Sequence, residues 1–127
     1  MNDREMLERA AKAAGIRLEW ADYGDGVFRA PQHAAREAGR IWWNPLADDG
    51  DALRLAVKLG LQVTQYPIYE MPKHSVVVRP GIWNSDANMA DDRHSAVEAY
   101  DGDPYAATRR AITRAAASLG AGDTEVT

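Results

Sequence analysis

The chain has 127 residues, a formal net charge of −4 and a sequence pI near 5.3. Its length predicts one domain, which we place at residues 1–120, followed by a flexible tail at 121–127. The sequence contains no cysteine, which excludes disulfides, thiolate zinc sites and a thiol nucleophile. The mildly acidic balance argues against general attraction to nucleic acid and is too small to predict a polyanion mimic.

The sequence shows neither a membrane span nor an export signal. No apolar run approaches the ~18 residues that a spanning helix needs. Met1–Arg9 is charged where a secretion signal has an apolar core. We therefore expect a cytoplasmic protein that has no membrane partner.

The first predicted element is a helix over residues 3–14, capped by Asn2 or Asp3 and ended by Gly15. Apolar residues recur on one side of it at helical spacing, which predicts the buried face. These residues are Met6, Leu7, Ala10, Ala11 and Ala14.

Two strands are predicted after this helix. Apolar and charged residues alternate over 16–20, as in a half-buried strand. Residues 22–26 are rich in Gly and Asp, which favours a turn, and 27–29 is a short second strand. The side chains expected to face the core are Ile16, Leu18, Trp20 and Phe28.

Residues 41–63 are typical of a strand, a turn, a helix and the start of another strand. Asn44-Pro45 ends the first strand, and the helix covers about 50–59. Asp48, Asp49 and Asp51 place acceptors at its N-terminus, and Gly60 supplies a left-handed stop. The expected apolar face of this helix is Leu53, Ala56, Val57 and Gly60. Either Trp42 or Trp43 is expected in the core.

The second half of the chain has fewer regular elements. Strands are predicted at 61–66 and 74–79, with an irregular connection between them. Residues 81–102 predict a long exposed loop with a short strand near 96–100. Asp103-Pro104 then opens a last helix that ends at Gly120, because an acid followed by Pro is typical of a helix start.

This order of elements predicts an α+β fold. Short connections between helices and strands pack helices against a sheet, and the hairpin-like strand pairs favour antiparallel pairing. We expect a three-layer α/β/α sandwich whose largely antiparallel sheet has about five strands and which has three helices.

One run is long enough to suggest a family: Trp43-Asn44-Pro45-Leu46-Ala47-Asp48-Asp49-Gly50-Asp51-Ala52-Leu53. Together with the first helix and the last helix, it resembles small bacteriophage and prophage proteins that carry a phage ABA-sandwich domain. The resemblance covers about half of the chain. It implies a helix/sheet/helix sandwich and a phage or prophage origin. That family carries no known activity, so no catalytic residue is transferred from it.

No catalytic or metal-binding pattern is present in the sequence. The acids at 48–51 lack the distal ligand of a calcium loop, and helix capping explains them. His33, His74 and His94 have no local metal spacing. The serines lack a nucleophile-elbow context. We predict no enzyme activity, no catalytic residues, no metal and no cofactor.

Two residue sets are candidates for binding. Aromatic and Met side chains in the irregular middle are typical of protein interfaces, or else of a small core under a loop. They are Tyr66, Tyr69, Met71, Trp83, Met89 and Tyr100. Basic residues of the second and last helices could form a nucleic-acid stripe, although solvated helix faces explain them as well. They are Arg54, Lys58, Arg109, Arg110 and Arg114.

These observations favour a phage or prophage accessory protein that acts by binding a protein. The partner is a host factor, a defence component to be inhibited, or a second copy in a homodimer. The first alternative is a nucleic-acid-associated phage protein that uses the basic helices. The second is a small metal-dependent hydrolase built from the histidines and nearby acids.

Overall fold

The computed structural model describes residues 1–18, 43–66, 74–81, 83–84, 89–90 and 94–125; at 83–84, 89–90 and 121–125 it describes the backbone alone. Several predictions fall wholly or partly outside these ranges and are not tested there: the strand at 27–29, residues 19–20 of the strand at 16–20, and the part before Trp43 of the strand that begins the 41–63 run. The same holds for the side chains of Trp20, Phe28, His33, Trp42, Tyr69 and Met71.

The described residues form three helices and five strands. The helices are α1 (Asp3–Ala14), α2 (Asp49–Leu59) and α3 (Pro104–Glu125). The strands are β1 (Leu61–Tyr66), β2 (Ser75–Pro80), β3 (Trp83–Asn84), β4 (Met89–Ala90) and β5 (Ala96–Ala99). The α+β class and the predicted positions of β1, β2 and β5 are confirmed.

β1, β2 and β5 make an antiparallel sheet in the order β1-β2-β5. Val63 of β1 lies opposite Val78 of β2, and Val78 lies opposite Ala96 of β5. The antiparallel pairing is confirmed. This sheet has three strands in the described chain, and β3 and β4 form a separate two-stranded hairpin inside the segment predicted as a loop.

α3 is the helix around which the described core is built. It contacts all three strands of the sheet on one side and both α1 and α2 elsewhere. Because it is surrounded in this way, buried residues occur around most of its circumference rather than on one stripe. They are Ala107, Ala111, Ile112, Thr113, Ala115, Ala116 and Ala117. Small side chains let neighbouring elements approach it closely.

One face of the sheet lies under α3. Val76 is fully buried there, and its cross-strand neighbours Gln65 and Glu98 both bond to α3. The bonds run from Gln65 to Thr108 and from Arg114 to Glu98. On the opposite face Val97 is 57% exposed. The described residues therefore show helices on one face, and the three-layer arrangement stays a prediction.

The helix ends follow the local chemistry of the sequence. The side chain of Asn2 accepts a hydrogen bond from Glu5 N at 2.8 Å, and that of Asp48 accepts from Asp51 N at 2.8 Å. Gly15 and Gly60 end α1 and α2 with φ of 73° and 65°, a region that glycine enters at low cost. These four caps are confirmed.

Gly120 lies inside the last helix rather than at its end. The prediction that the last helix ends there is wrong, since α3 continues to Glu125. A Cβ placed on Gly120 would lie 2.1 Å from the backbone oxygen of Arg9 in α1. The glycine therefore serves a close approach of two helices rather than a helix end.

The segment before α2 also differs from prediction in part. Trp43 is buried, as expected for one of the two tryptophans, but Trp43 and Asn44 lie outside any strand. A turn follows, in which the amides of Ala47 and Asp48 donate to the Asn44 carbonyl.

Residues 16–18 are likewise not in a strand, although Ile16 and Leu18 pack against the core as predicted. The alternation of apolar residues at 16–18 thus predicted correctly which side chains pack against the core, although these residues do not pair as a strand.

None of the described helices is long and apolar enough to cross a membrane.

Candidate functional site

α2 exposes the face that was expected to be buried. Leu53 is 64% and Val57 is 72% exposed, whereas Leu55 and its neighbours on the other stripe are buried. The buried members are Asp51, Ala52, Leu55 and Ala56. α2 carries two apolar stripes at helical spacing, and its docking against α3 buries only one of them. The predicted apolar face is therefore wrong, apart from Ala56.

The exposed stripe borders an apolar groove of about 690 Å³. α2 and the first turns of α3 form its walls, and Val63 and Gln65 of β1 contribute between them. Tyr105 at the start of α3 is 69% exposed and also lines the groove. The apolar lining residues are Ala52, Leu53, Ala56, Val63, Pro104, Tyr105 and Ile112. The volume falls in the range of about 300–1,000 Å³ that is typical of ligand pockets.

An ion pair joins the two walls of the groove. Arg109 of α3 contacts the Asp49 carboxylate at 2.7 Å and donates through Nε to the Leu46 carbonyl at 2.9 Å. The guanidinium is largely covered, whereas Asp49 is exposed. Arg109 thus holds the start of α2 against α3, and its Nε and one terminal nitrogen are engaged in these two contacts.

A chain of polar side chains borders the groove beside β1. The Tyr100 hydroxyl donates to Gln65 Oε1, and Gln65 Nε2 donates to Thr108 Oγ1 at 3.0 Å. Thr108 donates in turn to the Pro104 carbonyl at 2.7 Å. His74 meets the Tyr100 ring edge-on, with ring centroids 6.2 Å apart. These groups bond to one another, so the groove presents mainly apolar surface to an incoming molecule.

The structure describes the side chains of two members of the predicted aromatic set, Tyr66 and Tyr100. Tyr100 lines the groove, while Tyr66 is half-buried at the end of β1, opposite Ser75. Trp83 and Met89 lie on the short hairpin, where Trp83 pairs with Ala90 in backbone register. Tyr69 and Met71 lie outside the described residues.

The sequence prediction did not select Leu53, Val63 and Tyr105 as binding residues. The signal that identifies them is the surplus of apolar positions on α2, which is more than one buried face needs. Tyr105 is a similar case. It lies in the first turn of α3, and the later apolar residues of that helix are enough to form its buried surface.

The predicted basic stripe is engaged in ion pairs. Each of its four arginines contacts a carboxylate, as follows: Arg54 with Asp51 at 2.9 Å, Arg109 with Asp49 at 2.7 Å, Arg110 with Asp3 at 3.2 Å, and Arg114 with Glu98. Lys58 is exposed near the end of α2. The partners lie on α1, α2 and β5, so the cations face several surfaces. This arrangement gives the nucleic-acid alternative no support.

The two described histidines lie in different surroundings. His74 contacts Tyr100, whereas His94 Nδ1 lies 2.8 Å from Ser118 Oγ on α3. No group of three metal-ligating side chains occurs within the described ranges. Asp48 caps α2, and Asp51 accepts from the Asn44 amide at 2.9 Å, which agrees with the structural interpretation of the acidic run.

Comparison with known proteins identifies no relative: no protein-family model, curated protein or solved structure matches this chain. The resemblance to phage ABA-sandwich proteins therefore stays a prediction.

Proposed function

We propose that this chain is a phage- or prophage-encoded accessory protein that acts by binding another protein in the host cytoplasm. The groove between α2, β1 and α3 is its binding surface. The target is a host factor or a defence component, which the protein inhibits by occupying it. No catalysis is part of this proposal.

One observation carries the proposal: several apolar side chains that line the groove are exposed to solvent. Leu53, Val63 and Tyr105 come from three different elements and are all exposed at one place. Burying them elsewhere in the fold would be favourable by roughly 25 cal/mol per Å² of apolar surface. An apolar groove that three elements line and solvent reaches supports an interaction site at this place.

The polar groups at the groove favour a protein partner over a small polar substrate. A polar ligand needs donors and acceptors that are available to it. Here Arg109 is held by Asp49 and Leu46, and Gln65 is bonded to both Tyr100 and Thr108. An apolar side chain of a partner protein can enter without breaking these bonds.

The finer architecture belongs to the same proposal. We place this chain in the ABA-sandwich family, with a sheet of about five strands between two helical layers. Two features support this placement: the antiparallel β1-β2-β5 sheet, and the order of helices and strands shared with the resemblance.

The proposal is tested by pull-down from bacterial host lysate followed by binding measurements with the purified partner. The groove variant is Leu53→Ser/Tyr105→Ser. Both residues are exposed, so we expect the variant to keep wild-type stability within about 0.5 kcal/mol per site. Val97→Ser is the matched control, because Val97 is an exposed apolar residue on another surface.

We expect the groove variant to lose the partner and the control to retain it. Equal affinity of wild type and groove variant for the same purified partner would refute the groove as the binding surface. A Tyr69→Ala/Trp83→Ala variant tests the predicted aromatic surface separately.

A further inference from the structure

We infer that the groove receives an amphipathic helix of the partner protein whose polar flanks carry Lys and Arg. This inference rests on the proposed function and names the chemistry of the partner. Three features of the groove support it: its volume, the state of its polar groups and the charges around it.

The volume of the groove is sufficient for one face of a short helix. Its walls are two helices, α2 and α3, and its volume is about 690 Å³. A helix of about 12 residues is ~18 Å long and ~10 Å wide, so the half that sinks into a groove occupies roughly 700 Å³. Side chains at i, i+3, i+4 and i+7 of such a helix form the apolar face that helix-in-groove recognition uses.

The satisfied polar groups favour a helix over an extended segment. A helix forms its backbone hydrogen bonds internally, so it brings only its apolar face to the surface. An extended segment brings unpaired amide and carbonyl groups, which need partners inside the groove. The described polar side chains there, Gln65, Tyr100 and Arg109 among them, already bond to one another or to the backbone.

Exposed carboxylates border the groove. Asp49 is exposed in the lining at the start of α2. Asp101 and Asp103 are exposed in the turn between the lining residues Tyr100 and Pro104. Among the described lining residues Arg109 is the cation; it pairs with Asp49 at 2.7 Å, so the unpaired negative charge comes mainly from the turn at 101–103. A partner with Lys and Arg on its polar flanks is therefore attracted to the groove.

The test uses fluorescence anisotropy with synthetic helical peptides of about 16 residues. The probe has Leu at i, i+3, i+4 and i+7 and Lys or Arg on both flanks. One control peptide carries Glu in place of the flanking Lys and Arg, and a second has Pro at its centre to break the helix. Each peptide is measured against wild type, Leu53→Ser, Asp101→Asn and the control variant Val97→Ser.

We expect the basic helical peptide to bind with a Kd below roughly 1 mM and the two control peptides to bind at least tenfold more weakly. Leu53→Ser should weaken binding about tenfold, because it removes an apolar contact. Asp101→Asn keeps a side chain that tolerates its φ of 49°. It should weaken binding about threefold at low salt and not at high salt. Val97→Ser should bind as wild type does.

Three results would overturn the inference. Equal binding of the acidic and basic peptides would remove the charge argument, and equal binding of the Pro peptide would remove the helix. No difference between wild type and Leu53→Ser would place the peptide elsewhere.

The pull-down separates failure of this inference from failure of the proposed function. If the purified partner needs Leu53 and Tyr105 but no peptide binds, the groove is a binding surface for another kind of segment. If sedimentation shows a dimer that the groove variant abolishes, the occupant is a second copy. If neither partner nor peptide depends on the groove, both proposals are wrong.

Discussion

Replacing Gly120 by Ala tests how closely α1 and α3 approach each other. A Cβ at this position would lie 2.1 Å from the Arg9 carbonyl oxygen and 3.0 Å from the Arg9 carbonyl carbon. Both atoms belong to the backbone of α1, so no side-chain rotation relieves the contact. The two helices must separate by about 1 Å to restore an ordinary contact distance.

The expected cost follows from two opposing effects. Ala is favoured over Gly inside a helix by about 1 kcal/mol. Overpacking a tight contact costs up to about 3 kcal/mol, and here it also loosens the packing of Leu7 and Ala11, which are buried on α1. The net loss of stability should be about 2 kcal/mol, which lowers the Tm by roughly 8 °C in a domain of this size.

The measurement is thermal and urea unfolding followed by circular dichroism. Gly50→Ala is the matched control, because Gly50 is also helical. Its added Cβ would meet the ends of the Arg54 and Asp48 side chains at 3.1–3.3 Å rather than backbone. The control should change stability by less than about 1 kcal/mol. A Gly120→Ala protein as stable as wild type, or more stable, would refute the close helix approach.

Two further predictions concern α2, and urea unfolding checks both. Asp51→Ala should cost about 2–3 kcal/mol, because the 3% exposed carboxylate accepts from the Asn44 amide and from Arg54. A loss under ~0.5 kcal/mol would show that this carboxylate is not needed. Leu55→Ala should cost about 2–4 kcal/mol, since Leu55 is buried, whereas Leu53→Ala should cost under about 0.5 kcal/mol. The reverse order would mean that the other stripe of α2 is the buried one.

The sequence by itself determined the features that depend on a few neighbouring residues. Asn2 and Asp48 start helices because their side chains reach an amide three residues ahead. Gly15 and Gly60 end helices because glycine enters the left-handed region at low cost. The strand at 61–66 and its antiparallel pairing with 75–80 followed from β-rich runs bounded by Gly and Pro.

Only the tertiary structure decided which apolar surface is covered. Leu53 and Leu55 have the same side chain two positions apart, and docking of α2 on α3 buries one and exposes the other. Gly120 looks like a helix end in sequence, and the nearby backbone of Arg9 explains it instead. The arginines of α3 find their carboxylates on elements as distant in sequence as Asp3 and Glu98.

The physical reason is the range of the interactions. Caps and turns use hydrogen bonds within one turn of chain, so residue order alone specifies them. Burial depends on where whole elements pack, and a helix with two apolar stripes is compatible with either orientation until its neighbours are in place. The groove between α2, β1 and α3 has an apolar wall because α2 buries the stripe of Leu55 and leaves Leu53 exposed.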